Sequence, residues 1–126
     1  MKTRCTSGFT LIELLVVMTI IAMLLTLAVP RYFHSVEKSK ETVLRQDLSI
    51  LREALDKYYD DNGKYPDELD ELVTKKYLRA IPRDPITGSM TTWVTLPPDD
   101  PSQGMVYDVR SGAAEQARDG TKYAEW

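Results

Sequence analysis

From Leu11 to Val29 the chain is apolar apart from Glu13, Thr19 and Thr26. About twenty such residues are what an α-helix needs to cross a bilayer core. In hydrocarbon, a spanning segment must satisfy its own backbone hydrogen bonds, which a helix does. The run therefore commits the start of the chain to a long helix. It is too long for the apolar region of a cleaved secretory signal, and no Ala-x-Ala-type site follows it. Lys2 and Arg4 precede it, which predicts a cytoplasmic N-terminus and an exported remainder. An ionised carboxylate is costly in such a run, so Glu13 is expected to have a function and a partner. The plainer alternative is an acid near the membrane edge that snorkels to water.

The short cationic head Met1-Lys2-Thr3-Arg4-Cys5-Thr6-Ser7 ends at Gly8, and Phe9 follows it. Glycine, aromatic residue, glutamate, apolar run and then Pro30, at these spacings, resemble the class III signal of type IV pilins and type II secretion pseudopilins. The resemblance implies that a prepilin peptidase cuts between Gly8 and Phe9 on the cytoplasmic face and N-methylates Phe9. It divides the chain into a leader (1–8), a transmembrane and assembly helix (9–30), the amphipathic half of the same helix (31–61) and a small periplasmic domain (62–126). Cleavage would place a positive amine on Phe9, four residues from Glu13 and near a helix N-terminus that itself favours an acid. An unpaired Glu13 would draw a neighbour's Phe9 amine, so the resemblance makes Glu13 an assembly residue. Pro30 withholds a backbone donor and crowds the Thr26 carbonyl. That predicts a kink at the membrane exit, or a local unwinding that lets packed subunits stretch.

Loss of Lys2 and Arg4 with the leader leaves 14 basic against 19 acidic residues and takes the formal charge from −3 to −5. An acidic chain with interleaved charges argues against a nucleic-acid surface, which needs clustered Lys and Arg. The single cysteine, Cys5, belongs to the leader. The processed chain would then have neither disulfide nor thiol chemistry.

Beyond the apolar run, Leu44, Leu48, Leu51, Leu55 and Tyr58 or Tyr59 recur at helical spacing and make one stripe. Glu41 with Arg45 and Glu53 with Lys57 are favourable i,i+4 pairs. Asn62-Gly63 reads as a helix stop. A single helix from Phe9 to Asp61 would run for roughly 80 Å at 1.5 Å per residue. A short helix is predicted from Pro66 or Asp67 to Lys76, with acids early and lysines late. Thr91–Leu96 and Gly104–Arg110 read as strands. Trp93, Tyr107, Tyr123 and Trp126 are expected in the core of a small sheet. Residues 62–126 are marginal for an independent core and need the amphipathic half-helix to fold against.

Asn62-Gly63-Lys64-Tyr65-Pro66, Leu78-Arg79-Ala80-Ile81-Pro82-Arg83-Asp84-Pro85 and the ending from Tyr107 through Asp119-Gly120 to Trp126 resemble the major pseudopilin of type II secretion more than a pilus subunit. Major pseudopilins tend to stabilise a C-terminal loop with calcium. The resemblance therefore nominates Asp119, with Asp108, Ser111 and Glu125, as oxygen donors to a calcium ion. The tail departs from the family pattern at Ala113–Arg118, which carries a basic residue and fewer turn glycines. No acid spacing matches an EF-hand, and there is no phosphate loop, nucleophile elbow or metalloprotease motif. The lone His34 and the paired acids read as solvated surface and helix caps.

The expectation is a type IV pilin-like α+β fold: a long N-terminal helix packed on a small domain with a short helix and an antiparallel sheet. The expected function is that of a non-enzymatic major pseudopilin. It would sit as a single pass in the inner membrane, its C-terminal domain periplasmic, and polymerise through its helices to push exoproteins through the outer membrane. Implied partners are copies of itself, the prepilin peptidase, an inner-membrane assembly platform with its ATPase, and minor pseudopilins. A type IV pilus subunit for adhesion, motility or DNA uptake is the alternative, and a plain bitopic binding protein a more distant one.

Overall fold

The computed structural model describes residues 3–126; Met1 and Lys2, the first residues of the expected leader, lie outside the described residues. One helix, α1 (Leu11–Asn62, 52 residues), dominates the chain. The chain divides into two compact units, Met1–Glu37 and Lys38–Trp126, and α1 contributes to both.

In the first unit, α1 begins two residues later than the pattern predicts, because Thr10 caps it. The Thr10 carbonyl accepts the first helical bond, from Leu14 N, which makes Thr10 the half-in flanking residue. The helix continues without a break through Pro30. Its apolar window has a mean hydropathy of 2.6 and none of it is buried, so by length and composition it can cross a membrane.

In the second unit, α1 supplies half of a core. Leu44, Leu48, Leu51, Leu55 and Tyr58 are 0–2 % exposed, at alternating spacings of four and three that keep them on one face. Each fully buried large side chain contributes about 1.5–3 kcal/mol over leaving it in water. Ala54 of the same helix, with Leu72, Trp93, Val106, Val109, Ala113, Ala117 and Tyr123, completes the cluster. Asn62 and Gly63 end the helix as expected. Gly63 adopts a φ of 71°, which glycine tolerates best, and its N–H bonds to the Tyr59 carbonyl at 2.7 Å.

The remaining elements are shorter than the sequence predicts. α2 spans only Glu71–Thr74. The expected first turn is absent because the Pro66 carbonyl is taken by Met105 N and Val106 N, at 3.3 and 3.0 Å. An acceptor drawn across the fold cannot also receive its i+4 neighbour. Lys76, at a φ of 66°, closes the turn that follows α2. β1 (Val94–Leu96) pairs antiparallel with β2 (Asp108–Arg110), with Thr95 opposite Val109. Neither strand extends back to its predicted start. Trp93 donates its indole N–H to the Pro82 carbonyl, while residues 105 and 106 bond to Pro66. The result is the predicted α+β architecture with a two-stranded sheet.

Of the four aromatics expected in the core, Trp93 and Tyr123 are buried, but Tyr107 is 52 % exposed and Trp126 half-buried. Tyr107 stands edge-on to Tyr65, which stacks on Tyr59, forming a surface ladder.

Candidate functional site at the start of helix α1

Glu13 occupies the first turn of α1, and its carboxylate turns back toward the chain start. Oε2 accepts from the Thr10 backbone N–H at 2.8 Å and from the Thr10 hydroxyl at 3.2 Å. The Glu13 N–H in turn donates to Thr10 Oγ1 at 3.2 Å. This is a reciprocal capping box, in which a Thr and a Glu three residues on satisfy each other's orphan donors. The pattern Thr-x-x-Glu was present in the sequence as its signal.

Around this box the residues are bare. Phe9 is 95 % exposed and nothing lies within 4 Å of a Cβ placed on Gly8. The Gly8–Phe9 peptide thus sits in exposed chain without regular secondary structure, just ahead of the cap. Thr19 and Thr26, the other polar residues of the apolar run, donate their hydroxyls to the carbonyls of Leu15 and Ala22, each at 2.8 Å. Both are thereby settled within the helix.

The four nominated calcium donors fall in four different settings. Asp108 Oδ1 takes the Arg52 Nε at 2.9 Å and its own neighbour Val109 N at 2.8 Å. Ser111 is fully buried and donates its hydroxyl to Asp84 at 2.5 Å. Asp119 Oδ1 accepts from the hydroxyl of Thr121 at 2.6 Å and from its N–H at 3.0 Å. The hydroxyl bond first, then the backbone bond, hold its carboxyl below the usual range, with a smaller pull from Arg45. Glu125 is exposed on a short 3-10 turn, Tyr123–Glu125. Among the described residues no three His, Cys, Asp or Glu side chains are placed to hold one metal ion. A calcium ion asks for six to eight oxygens converging at about 2.3–2.6 Å, and this donor set does not fit that demand.

Two residues of α1 organise the tail: Arg52, which the sequence did not single out, and Glu41, which it paired only with Arg45. Arg52 reaches Asp108, Val109 and Trp126. Glu41 accepts from Arg118 N at 2.9 Å and from Tyr123 Oη at 3.0 Å. Glu41 and Arg45, read as partners from their spacing, both turn to the tail, Arg45 lying 4.0 Å over the Trp126 ring. Glu53 and Lys57 do pair, at 3.4 Å.

A capped, acid-bearing first helix that is long and apolar enough to cross a membrane, followed by a small α+β domain, is the architecture of a pilin-like protein. Comparison with known proteins narrows the class. The family model described as the prokaryotic N-terminal methylation motif matches residues 3–29, and that of the type II secretion system protein G matches residues 31–125. The type II secretion system core protein G of Aeromonas hydrophila is 36 % identical over 101 residues, covering 68 % of this chain and 71 % of the relative. That of Pseudomonas aeruginosa is 37 % identical over 101 residues with the same coverage. That of Klebsiella michiganensis is 33 % identical over 104 residues, covering 70 % of this chain and 73 % of the relative. No solved structure matches the chain significantly. The chain belongs to the type II secretion system protein G family.

Proposed function

We propose that this chain is the major pseudopilin of a type II secretion system, a structural subunit whose helices pack into a periplasmic filament that pushes exoproteins outward. The observation that carries the reading is the pair of matches that runs from the head through the tail: a methylation motif over 3–29 and the protein G domain over 31–125. The second match supports the secretion filament over a surface pilus. The family is a structural one, which supports a non-enzymatic role.

In this reading a prepilin peptidase cuts between Gly8 and Phe9 and methylates the new amine. The chain rests in the inner membrane through α1 until a platform and its ATPase draw it into the filament, where minor pseudopilins join it. Glu13 already faces the chain start through Thr10, the second residue after the cut. A carboxylate held there is in position to meet an amine on Phe9, its own or a neighbour's. A charge-assisted contact in a water-poor setting is stronger than the same contact in water. Pro30 then marks the place where the helix is short of one backbone donor and yields first under axial load.

The test is Glu13→Ala in the full chain, expressed with its peptidase. The expected outcome is a membrane-bound, folded chain whose intact mass begins at N-methyl-Phe9 but which gives no filaments by electron microscopy. Normal filaments from the variant expressed alone would remove the assembly role of Glu13. An uncut mass for the wild-type chain would remove the pseudopilin reading itself.

A further inference from the structure

Arg52 sits in the middle of the amphipathic half of α1 and reaches two separate stretches of the tail. Its Nε donates to Asp108 Oδ1 at 2.9 Å, and its Nη2 donates to the Val109 carbonyl at 3.1 Å and to the Trp126 backbone oxygen at 2.6 Å. One side chain thus joins the helix, strand β2 and the final turn. Seven residues earlier on the same helix, Arg45 covers the face of the Trp126 indole. Tyr123 stands edge-on to that ring, and Thr121 accepts its indole N–H at 2.8 Å.

We propose that the Arg52 guanidinium is the cation that closes the 108–126 segment onto α1, so that this chain holds its tail without calcium. The argument rests on where the oxygens are spent. Asp108 is the acid best placed to anchor a metal to β2, and its Oδ1 faces Arg52. A divalent ion brought there would meet a fixed positive charge at close range. The Val109 and Trp126 oxygens, the kind a hard cation also takes, accept from the same guanidinium. Ser111 is turned inward to Asp84, and Asp119 Oδ1 is filled by Thr121. A planar fork with five donors serves a carboxylate and two backbone oxygens on separate segments at once. The pair is partly open to water, with side-chain exposures of 39 % and 27 %. Charge attraction alone therefore adds little, and the clamp acts chiefly through the bonds to the two backbone oxygens.

The experiment is thermal melting of the full chain in detergent micelles, followed by the fluorescence of Trp93 and Trp126. It is run in excess EGTA and again with calcium at about 1 mM, where weak extracellular calcium modules are loaded. The wild-type chain is expected to melt at one temperature in both. Arg52→Met is expected to melt roughly 4–8 °C lower or more, the shift of an ordinary interaction in a domain of this size, and calcium is expected not to restore it. A rise of that size for the wild-type chain on adding calcium overturns the proposal. So does an Arg52→Met chain that melts with the wild type. Should Arg52→Met give no transition, Arg52→Lys is read in its place. It keeps the charge without the fork and is expected to fall below the wild type in both buffers; melting with the wild type overturns the proposal equally.

Discussion

Asp84 carries no exposed surface, and its carboxylate is shared by two parts of the chain. Oδ1 accepts from Ile86 N at 2.8 Å and from Thr87 N at 3.4 Å, while Oδ2 accepts from Ser111 Oγ at 2.5 Å. Ser111 is equally buried. Asp84→Ala therefore strands the buried Ser111 hydroxyl proton and takes the acceptor from the part-buried Ile86 N–H. A buried donor left unmade costs about 1–3 kcal/mol. At 4–8 °C per kcal/mol for a domain of roughly this size, the loss at the hydroxyl alone should lower the melting temperature by at least about 4 °C. Near-UV circular dichroism of the full chain in detergent follows the transition. Asp84→Asn keeps an oxygen for Ile86 and should lose less. Ser111→Ala removes the hydroxyl that would be stranded, so the double variant Asp84→Ala/Ser111→Ala should lose less than the two single losses added together. Strict additivity, or an Asp84→Ala chain that melts with the wild type, would refute the account of Asp84 as the knot between the Asp84–Thr87 turn and the start of the tail.

Two further outcomes follow from the same unit, beside those given for Glu13 and Arg52. At Gly112 an added Cβ would collide with the Thr92 carbonyl, a backbone atom that cannot swing aside. Gly112→Ala should therefore lower the denaturant midpoint of the full chain, and an unchanged midpoint would show that the two segments part without cost. Burial first, and the nearby Asp84 second, push the Asp47 carboxyl above its ordinary 3.8. A raised folded value favours the protonated form, so its stabilising contribution is complete below about 3.8 and is lost as pH rises through the raised value. Asp47→Asn, neutral at every pH, should then be more stable than the wild type at neutral pH, with the gap closing as the acid is protonated. Melting curves across that range check it, and a constant or inverted gap would be the wrong sign.

The parts of the fold that follow from local chemistry were legible in the chain. The apolar run, the stripe from Leu44 to Tyr58 and the Asn62-Gly63 stop each depend on neighbours within a few residues. The parts that depend on distant groups were not. Nothing near Pro66 announces that its carbonyl will be taken by residues 105 and 106, so α2 reads as longer than it is. Tyr107 looks like a core aromatic until the ladder with Tyr65 and Tyr59 carries it to the surface. Asp108, Ser111 and Asp119 are nominated as calcium ligands by resemblance to the major pseudopilins, and their spacing alone carries no such signal. Their commitments to Arg52, Asp84 and Thr121 appear only once the helix and the tail are brought together. Thr10 with Glu13 is the reverse case, a local pattern in plain view whose consequence was geometric.

The hydroxyls of Thr19 and Thr26 have a consequence for the apolar stretch of α1 as a whole. Each is bonded to the carbonyl one turn back, and the helix satisfies its own ladder of amides. The stretch from Leu14 to Val29 can therefore exchange one apolar surrounding for another as a solute moves between two oils, with almost no hydrogen bond to break or remake on the way. Glu13 is the group whose energy depends on which surrounding it finds. Pro30, which offers no N–H to the Thr26 carbonyl, sets the far boundary of that indifference.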